Sequence, residues 1–600
     1  MAGLSSTGPT GTWTRIANRL QARLAARTRA ASAFTSQPEP RTIGAFARGR
    51  QLVAGTYLFS GHLVEEGADS RRSIWDIPAP GPDFTAELMG FSWLDDLAAV
   101  GDLRARRLAQ SWTWGWIERY GRGTGAGWTP DLTGRRLIRW INHAIFLLNG
   151  RKSAESAAYF KALAGQTRFL ARRWHSAAPG LPRFEALVGL IYAGLALRGM
   201  EHHVDPALKA LTRECEKQVD DRGGIPTRNP EELTEVLTLL TWAAHALEDA
   251  GRGTPAPISN AIARITPTLR ALRHADGGLA RFHGGGRGLE GRLDHALNAS
   301  GLRDGPRDGL AMGYARLSEG RTTVIVDAAA PPTGAASTNA HASTLAFELT
   351  SGRRPLIVNC GSGARFGASW RRAGRATASH STVAVERYSS SRLATGRPGE
   401  RAEMMEDVPA HVRLEQTHDS EGMHLLAGHD GYGPTHGLTH MRRLDLDRQG
   451  RLLSGADTLS AFTDADRRAF DAAMTRMQLQ GVSFVAYFHL HPDVDATLDM
   501  NGTAVSLALK SGELWVFRHD SGSELALEPS VYLESGRLKP RATKRITLSA
   551  KVMDYGHQIG WTLAKAQDTP QAIRDTLRDG DDALPDEAGD QVPASAGKDN

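Results

Sequence analysis

Apolar residues repeat at two different periods along this chain. Between about residues 90 and 300 they recur every three or four positions, in runs near 133–149, 154–174, 182–198, 205–220, 231–250 and 256–274. That spacing gathers them on one face of a helix. Glycine and proline punctuate the joints, at Pro179-Gly180, Gly223-Gly224 and Pro255-Ala256-Pro257. From near Asp308 to about residue 565 the period drops to two, as in Leu345, Phe347 and Leu349, or Phe484, Ala486, Phe488 and Leu490. Side chains two apart share a sheet face, so these are half-buried strands. A run of helices followed by a run of strands predicts separate α and β domains. The evenly spaced helices suit stacked hairpins, and the dense strands suit a sandwich. The stretch Gly284-Gly285-Gly286-Arg287-Gly288 and the polar segment after it form the expected link.

Six hundred residues exceed what one core ordinarily holds, so two large domains are expected. The cysteines are two, Cys215 and Cys360, which excludes a disulfide framework or a cysteine-rich zinc module. Both read as buried thiols. The net charge of +6 is modest, and the arginines are spread along the chain. Nucleic-acid binding would want a concentrated basic face and is not expected. A uronic-acid polymer is compatible, because arginine pairs well with carboxylates. No apolar run approaches the roughly 20 residues that span a bilayer. The N-terminus also lacks the apolar core of a secretory signal. It carries instead Trp13, Ile16, Leu20 and Leu24 on one helical face, beside Arg15, Arg19, Arg23 and Arg27. That helix reads either as a peripheral membrane contact or, preferred on sequence, as a solvated basic helix docked on the folded body. The acidic tail from Asp568 is expected to be disordered.

Histidines stand at the ends of predicted strands. His341 precedes the strand through Phe347, Asn359 follows Leu356-Ile357-Val358, and His380 precedes Val383. Three such groups can converge on one site. Two imidazoles suit zinc, but the neutral oxygen of Asn359 is a poor partner for it. The alternative is a pair of hydrogen-bonded histidines. Tyr432 and His436 lie in a loop dense in polar rings, fit to line a sugar cleft or to serve as an ordinary hairpin loop. His489 and His491 share a strand face and read as packed or exposed rather than metal-binding. Trp112, Trp114, Trp116, Trp128 and Trp140 offer faces for sugar rings, yet tryptophan at helical spacing reads first as core. Glu185 in the first turn of a helix is explained by the helix dipole alone. The glycines at 284–286 lack the flanking strand and helix of a phosphate cradle, and no Gly-x-Ser-x-Gly elbow is present.

Layout and motifs together resemble the heparinase II/III family of polysaccharide lyases over most of the chain. The family's His-x-His-Ala-Asp run corresponds to Asn339-Ala340-His341-Ala342-Ser343. Its Asp-x-Gly strand end corresponds to Asn359-Cys360-Gly361, and its next histidine to His380. The resemblance implies an N-terminal α/α toroid, an incomplete barrel of helical hairpins, followed by an antiparallel β-sandwich. The expected bounds are a basic segment over 1–75, the toroid over 76–307, the sandwich over 308–566 and the tail over 567–600. The implied reaction is β-elimination on a uronic-acid glycan. A base takes the proton beside the carboxylate and an acid protonates the leaving oxygen, while the carboxylate is neutralised. Carried over by position, Glu185, Glu232, Asn339 and His341 are the candidate catalytic residues. Arg183 and Arg228 would pair the substrate carboxylate, with Tyr432 and His436 as further sugar contacts. His341, Asn359 and His380 fall on the family's zinc positions, and Asn359 removes the charge a zinc would want. No cofactor is assigned beyond that weakened site. The family's catalytic tyrosine has no counterpart in the stretch Gly223 to Leu233, where Glu232 stands nearest. Two functions remain open: a divergent lyase with reassigned acid and base, or a non-catalytic glycan-binding or envelope-assembly protein that keeps the fold. The compartment reads as cytoplasmic by default and periplasmic by resemblance.

Overall fold

The computed structural model describes residues 11–568, apart from 28–30, 32, 37, 38, 68–71, 306–308, 395–402, 535 and 536. The acidic tail expected to be disordered lies almost wholly outside the described residues. The first half is helical and the second half is antiparallel sheet, as the two periods predict.

Local sequence sets the helix ends. Helix Pro130–Asn142 and helix Pro230–Asp249 both open on a proline at the first turn, where its missing N–H costs nothing. Asn229 caps the second of these, accepting from the amides of Glu231 and Glu232. The rings of Phe91, Trp116 and Trp140 are fully buried and pack edge to face, and Trp93 is buried at a tilt against Phe91. Trp112 and Trp128 are buried as well. These tryptophans therefore build the toroid core rather than a sugar platform.

The sandwich holds two large sheets. One runs, in spatial order, Val412–His418, Gly422–Tyr432, Leu438–Asp447, Leu452–Ser460, Gly556–Gln567, Leu514–His519, Ala504–Ala508 and Asp495–Asp499. The other runs Glu524–Tyr532, Arg541–Val552, Val482–Leu490, Arg354–Val358, Phe347–Ser351, Thr322–Asp327 and Tyr314–Glu319. The short strand Val383–Val385 also pairs with Val482–Leu490. Phe347 stacks on Trp561 between the sheets at 5.9 Å. Arg442 adds a buried tie: it is paired with Asp457 at 2.7 Å and donates to the carbonyls of Leu345 and Ser381. A fully buried cation is tolerated only when its donors are met in this way.

Two features go beyond the sequence reading. Within the expected link, the glycine stretch at 284–288 is packed. Gly285 packs on Asn229, Gly284 packs on Asn339, and the Gly286 amide donates to Glu231 at 2.8 Å. The N-terminal helix Thr12–Ala26 does dock on helix Ser153–Arg173, but through Asn18, Ala22 and Ala25. Its apolar stripe faces solvent: Trp13 is 84 % exposed and Leu20 56 %. The small side chains win the docking face because they let the two backbones approach.

Candidate functional site

The toroid side is set by two glycines. A Cβ on Gly134 would lie 2.1 Å from the Glu185 carbonyl oxygen, and one on Gly189 would lie 2.5 Å from the Gly134 Cα. Helices Pro130–Asn142 and Leu181–Ala196 therefore cross backbone against backbone. The crossing places Arg135 Nε 2.5 Å from Glu185 Oε1, with both residues buried. Burial pushes the Glu185 carboxyl up to about 7, against the pull of the Arg135 charge. The neighbouring charges are also taken. Arg292 pairs with Glu235 at 2.6 Å, and Arg139 with Asp95 at 2.8 Å. Burial raises Glu232 to about 7 as well, opposed by hydrogen bonds from Thr227 and the Leu181 amide. Arg183 donates to Glu214 at 3.3 Å and to the Ala177 carbonyl at 2.9 Å.

The sandwich side is a chain of neutral histidines. His380 Nδ1 lies 2.8 Å from the Ala376 carbonyl, which can only accept, so the proton sits on Nδ1. Its bare Nε2 then accepts from His341 Nδ1 at 3.0 Å. The remaining lone pair of His341 is on Nε2. His283 Nδ1 accepts the His341 backbone N–H at 3.1 Å, and its Nε2 faces Asp327 at 3.4 Å. Burial drives all three imidazoles down, His380 to about 4. Burial alone would raise Asp327, but Arg228 and His283 beside it hold it at about 2.

Arg228 spends its guanidinium entirely within the protein. It donates to Asp327 at 2.5 Å and to the carbonyls of Met312, Gly313, Ala329 and Ala330. Asn339 accepts from Arg371 at 3.3 Å. Asn359 accepts the Ser381 amide at 2.9 Å and turns its amino group toward Glu348 at 3.5 Å. The structure thus brings His341, His380 and Asn339 into one neighbourhood, with Arg228 joined through His283 and Asp327. Among the described residues no hydrogen bond or ion pair links Glu185 or Glu232 to His341. Tyr432 and His436 sit apart, the first buried with its hydroxyl on the Val383 carbonyl at 2.7 Å, the second 3.3 Å from Glu386.

These donors do not fit zinc. The His380 lone pair a metal would use is aimed at His341, and the amide of Asn359 is engaged on two other groups. The nearby anion, Glu348, already holds His274 at 3.1 Å and Arg281 at 3.4 Å. Elemental analysis of purified protein is expected to give zinc well below one per chain. A stoichiometric zinc that disappears in His341→Ala would contradict this.

Sequence reasoning missed His283, Asp327, Arg135 and Glu348. His283 directly precedes the glycine run, away from the predicted strand ends that single out His341 and His380. Arg135 and Glu185 are 50 residues apart, and no local pattern pairs them.

The histidines also fix the acid behaviour. A histidine held neutral by the fold contributes stability that is whole above its unfolded value near 6.5 and is lost as pH falls through the folded value. For His380 that window runs from 6.5 down to about 4, and His489 and His491 extend it to about 3. Glu185 and Glu232 act in the opposite sense, losing stability as pH rises from 4.5 to about 7. The buried histidines outnumber them. The thermal midpoint is therefore expected to fall steadily between pH 6.5 and 4, and a flat midpoint there would contradict the buried, neutral assignment.

A helical toroid set against a two-sheet antiparallel sandwich, with histidines at the strand ends facing the toroid segments, is the architecture of a polysaccharide lyase. Superposition supports that class. The crystal structure of heparinase III aligns with a TM-score of 0.65 at 12% identity, over 92% of this chain and 89% of the other. A mutant of a heparan sulfate lyase from Pedobacter heparinus aligns with a TM-score of 0.57 at 13% identity, over 95% and 92%. Residues 302–562 match the model of the heparinase II/III-like C-terminal domain. In sequence, the chain is 32% identical over 534 residues to FtsZ-localized protein C of Caulobacter vibrioides, covering 88% of this chain and 89% of that one. The chain belongs to the heparinase II/III-like family.

Proposed function

We propose that this chain is a non-catalytic member of the family, a lyase-fold protein that works in envelope assembly at an anionic membrane surface. One observation carries the first part: the side chains at the lyase positions are engaged within the protein. Arg135 engages Glu185 at Oε1, Asp327 and four carbonyls engage Arg228, and His341 and Ala376 engage His380, while Glu185 Oε2 is buried with no hydrogen-bond partner among the described residues. Tyr314, whose ring lies 6.3 Å from that of His283, donates its hydroxyl to the Arg228 carbonyl at 2.6 Å. No tyrosine stands in the stretch Gly223 to Leu233 where the family resemblance expects one. Losing one proton carrier costs about 10²–10⁴-fold in rate, and an arginine engaged on a buried aspartate is not free for a substrate carboxylate. A relative named for localization at FtsZ is in keeping with an assembly role.

The membrane part rests on the outward stripe of helix Thr12–Ala26. Trp13, Ile16, Leu20 and Leu24 are exposed together, Arg15, Arg19, Arg23 and Arg27 run along one flank, and the helix carries no acidic residue. Among the described residues no helix is long and apolar enough to cross a membrane. An amphipathic helix of this kind lies in the interface plane instead, its basic flank on anionic headgroups.

The second reading, a divergent lyase on an acidic glycan, is favoured by one pair of observations. The Glu185 and Glu232 carboxyls stand near 7, where acid–base exchange is efficient, and His341 keeps a lone pair on Nε2. Product formation separates the two. β-Elimination leaves an unsaturated, ultraviolet-absorbing chain end, and the proposed function predicts none from any uronic-acid polymer.

A further inference from the structure

We propose that a groove at the turn end of the second sheet, lined by Arg316, Arg321 and Arg353 with the hydroxyls of Ser318 and Thr323, binds a phosphate or sulfate ester group. The groove is open and encloses about 470 Å³, within the range of small-ligand sites. It goes beyond the proposed function and shares no residue with the histidine chain or the N-terminal helix.

Two hairpin turns build it. Strand Tyr314–Glu319 turns into Thr322–Asp327 at Gly320-Arg321, and strand Phe347–Ser351 turns into Arg354–Val358 at Gly352-Arg353. The Gly352 amide donates to the Arg321 carbonyl at 2.7 Å, so the two turns are stapled side by side. Gly352 has φ +55, and a Cβ there would lie 2.6 Å from Arg321 Nη2. Only glycine lets the guanidinium lie across the turn.

The charge of the groove is one-sided, since none of its lining residues is acidic. Among the described residues Arg316 is held by neutral acceptors, the Ala271 and Arg273 carbonyls at 2.9 and 2.8 Å and Thr323 at 3.3 Å. Thr323 is itself buried and also lies 3.3 Å from the Ser318 hydroxyl. Arg353 is exposed and makes no ion pair among the described residues. Arg321 has Glu513 at 4.0 Å, but that carboxylate also takes Lys565 at 3.4 Å and the Ser351 hydroxyl at 2.5 Å. Asp568, which Arg321 also influences, is paired with Arg451. Two exposed guanidinium groups beside a fixed one, with two hydroxyls, suit the several oxygens of a tetrahedral ester anion.

The test is calorimetric titration of inorganic pyrophosphate at low ionic strength into the full chain and into Arg321→Gln/Arg353→Gln. Both side chains are exposed, so the variant keeps the wild-type thermal midpoint. Binding is expected in the wild type and at least about tenfold weaker in the variant. A second arm separates a free ester from a lipid headgroup. Phosphatidylglycerol vesicles are offered to chains whose N-terminal stripe is replaced by Trp13→Ser/Ile16→Ser/Leu20→Ser/Leu24→Ser, with and without the arginine substitutions. Vesicle binding that depends on Arg321 and Arg353 assigns the groove to a headgroup, and pyrophosphate binding alone assigns it to a soluble ester. No binding in either arm, or binding indifferent to both arginines, overturns the proposal. Neither result bears on catalysis or on the N-terminal helix.

Discussion

Replacing Arg228 with alanine is expected to lower the free energy of unfolding by about 3–5 kcal/mol. The residue bridges toroid and sandwich. It leaves the loop before helix Pro230–Asp249 and reaches five oxygens, those of Asp327, Met312, Gly313, Ala329 and Ala330. Asp327 is fully buried, and without Arg228 its charge keeps, among the described residues, Ser343 and a neutral His283. Removing one partner of a buried pair strands the other, which is why the cost exceeds that of an ordinary hydrogen bond. Arg228→Lys should recover little, because an ammonium cannot reach carbonyls on several sides at once. The measurement is denaturant unfolding. A loss under about 1 kcal/mol, the scale of exposed pairs, would show that Arg228 is held loosely enough to serve a substrate.

The second large effect is on vesicle binding. Changing Trp13, Ile16, Leu20 and Leu24 together to serine should reduce partition onto anionic vesicles by more than about a hundredfold, since each apolar side chain taken from water is worth about 1.5–3 kcal/mol when fully buried. The helix itself should stay docked, because Asn18, Ala22 and Ala25 make its contacts with the toroid. Changing Arg15, Arg19, Arg23 and Arg27 to glutamine should instead remove the preference for anionic over neutral vesicles, at about 1 kcal/mol per arginine. Cosedimentation reads both. Equal partition of the serine variant and the wild type would mean that this helix is merely a docked, solvated element.

The division into helical and sheet halves was legible because the two periods reflect backbone geometry directly. Phe484, Ala486 and Phe488 are buried on strand Val482–Leu490 while Ser483, Val485 and Tyr487 between them are more exposed, as alternation requires. Strand Phe347–Ser351, by contrast, is buried on both faces, and Leu345 lies outside it. The outward stripe was legible as a stripe, but not as outward. Periodicity tells which residues share a face, whereas docking is decided by closeness of approach, and here Ala22 and Ala25 outcompete larger side chains. The packing of the glycine run at 284–288 was hidden for a related reason. Glycine marks backbone freedom or backbone proximity, and sequence does not distinguish them. At Gly284 and Gly285 it is proximity, to Asn339 and Asn229. Strand-end position, and then the resemblance, singled out His341, His380 and Asn359, but the meaning of their arrangement lay in partners distant along the chain. The Ala376 carbonyl fixes the proton on His380, and Ser381 with Glu348 fixes the amide of Asn359.

The central claim, that the lyase fold persists here without lyase chemistry, is tested most directly by incubating the purified chain with heparan sulfate, chondroitin, hyaluronan and alginate and following ultraviolet absorbance. The expected trace is indistinguishable from buffer, and unchanged in Glu185→Gln and Glu232→Gln. A rise in unsaturated chain ends that either substitution, or His341→Ala, abolishes in folded protein would contradict the account and make the chain a working lyase.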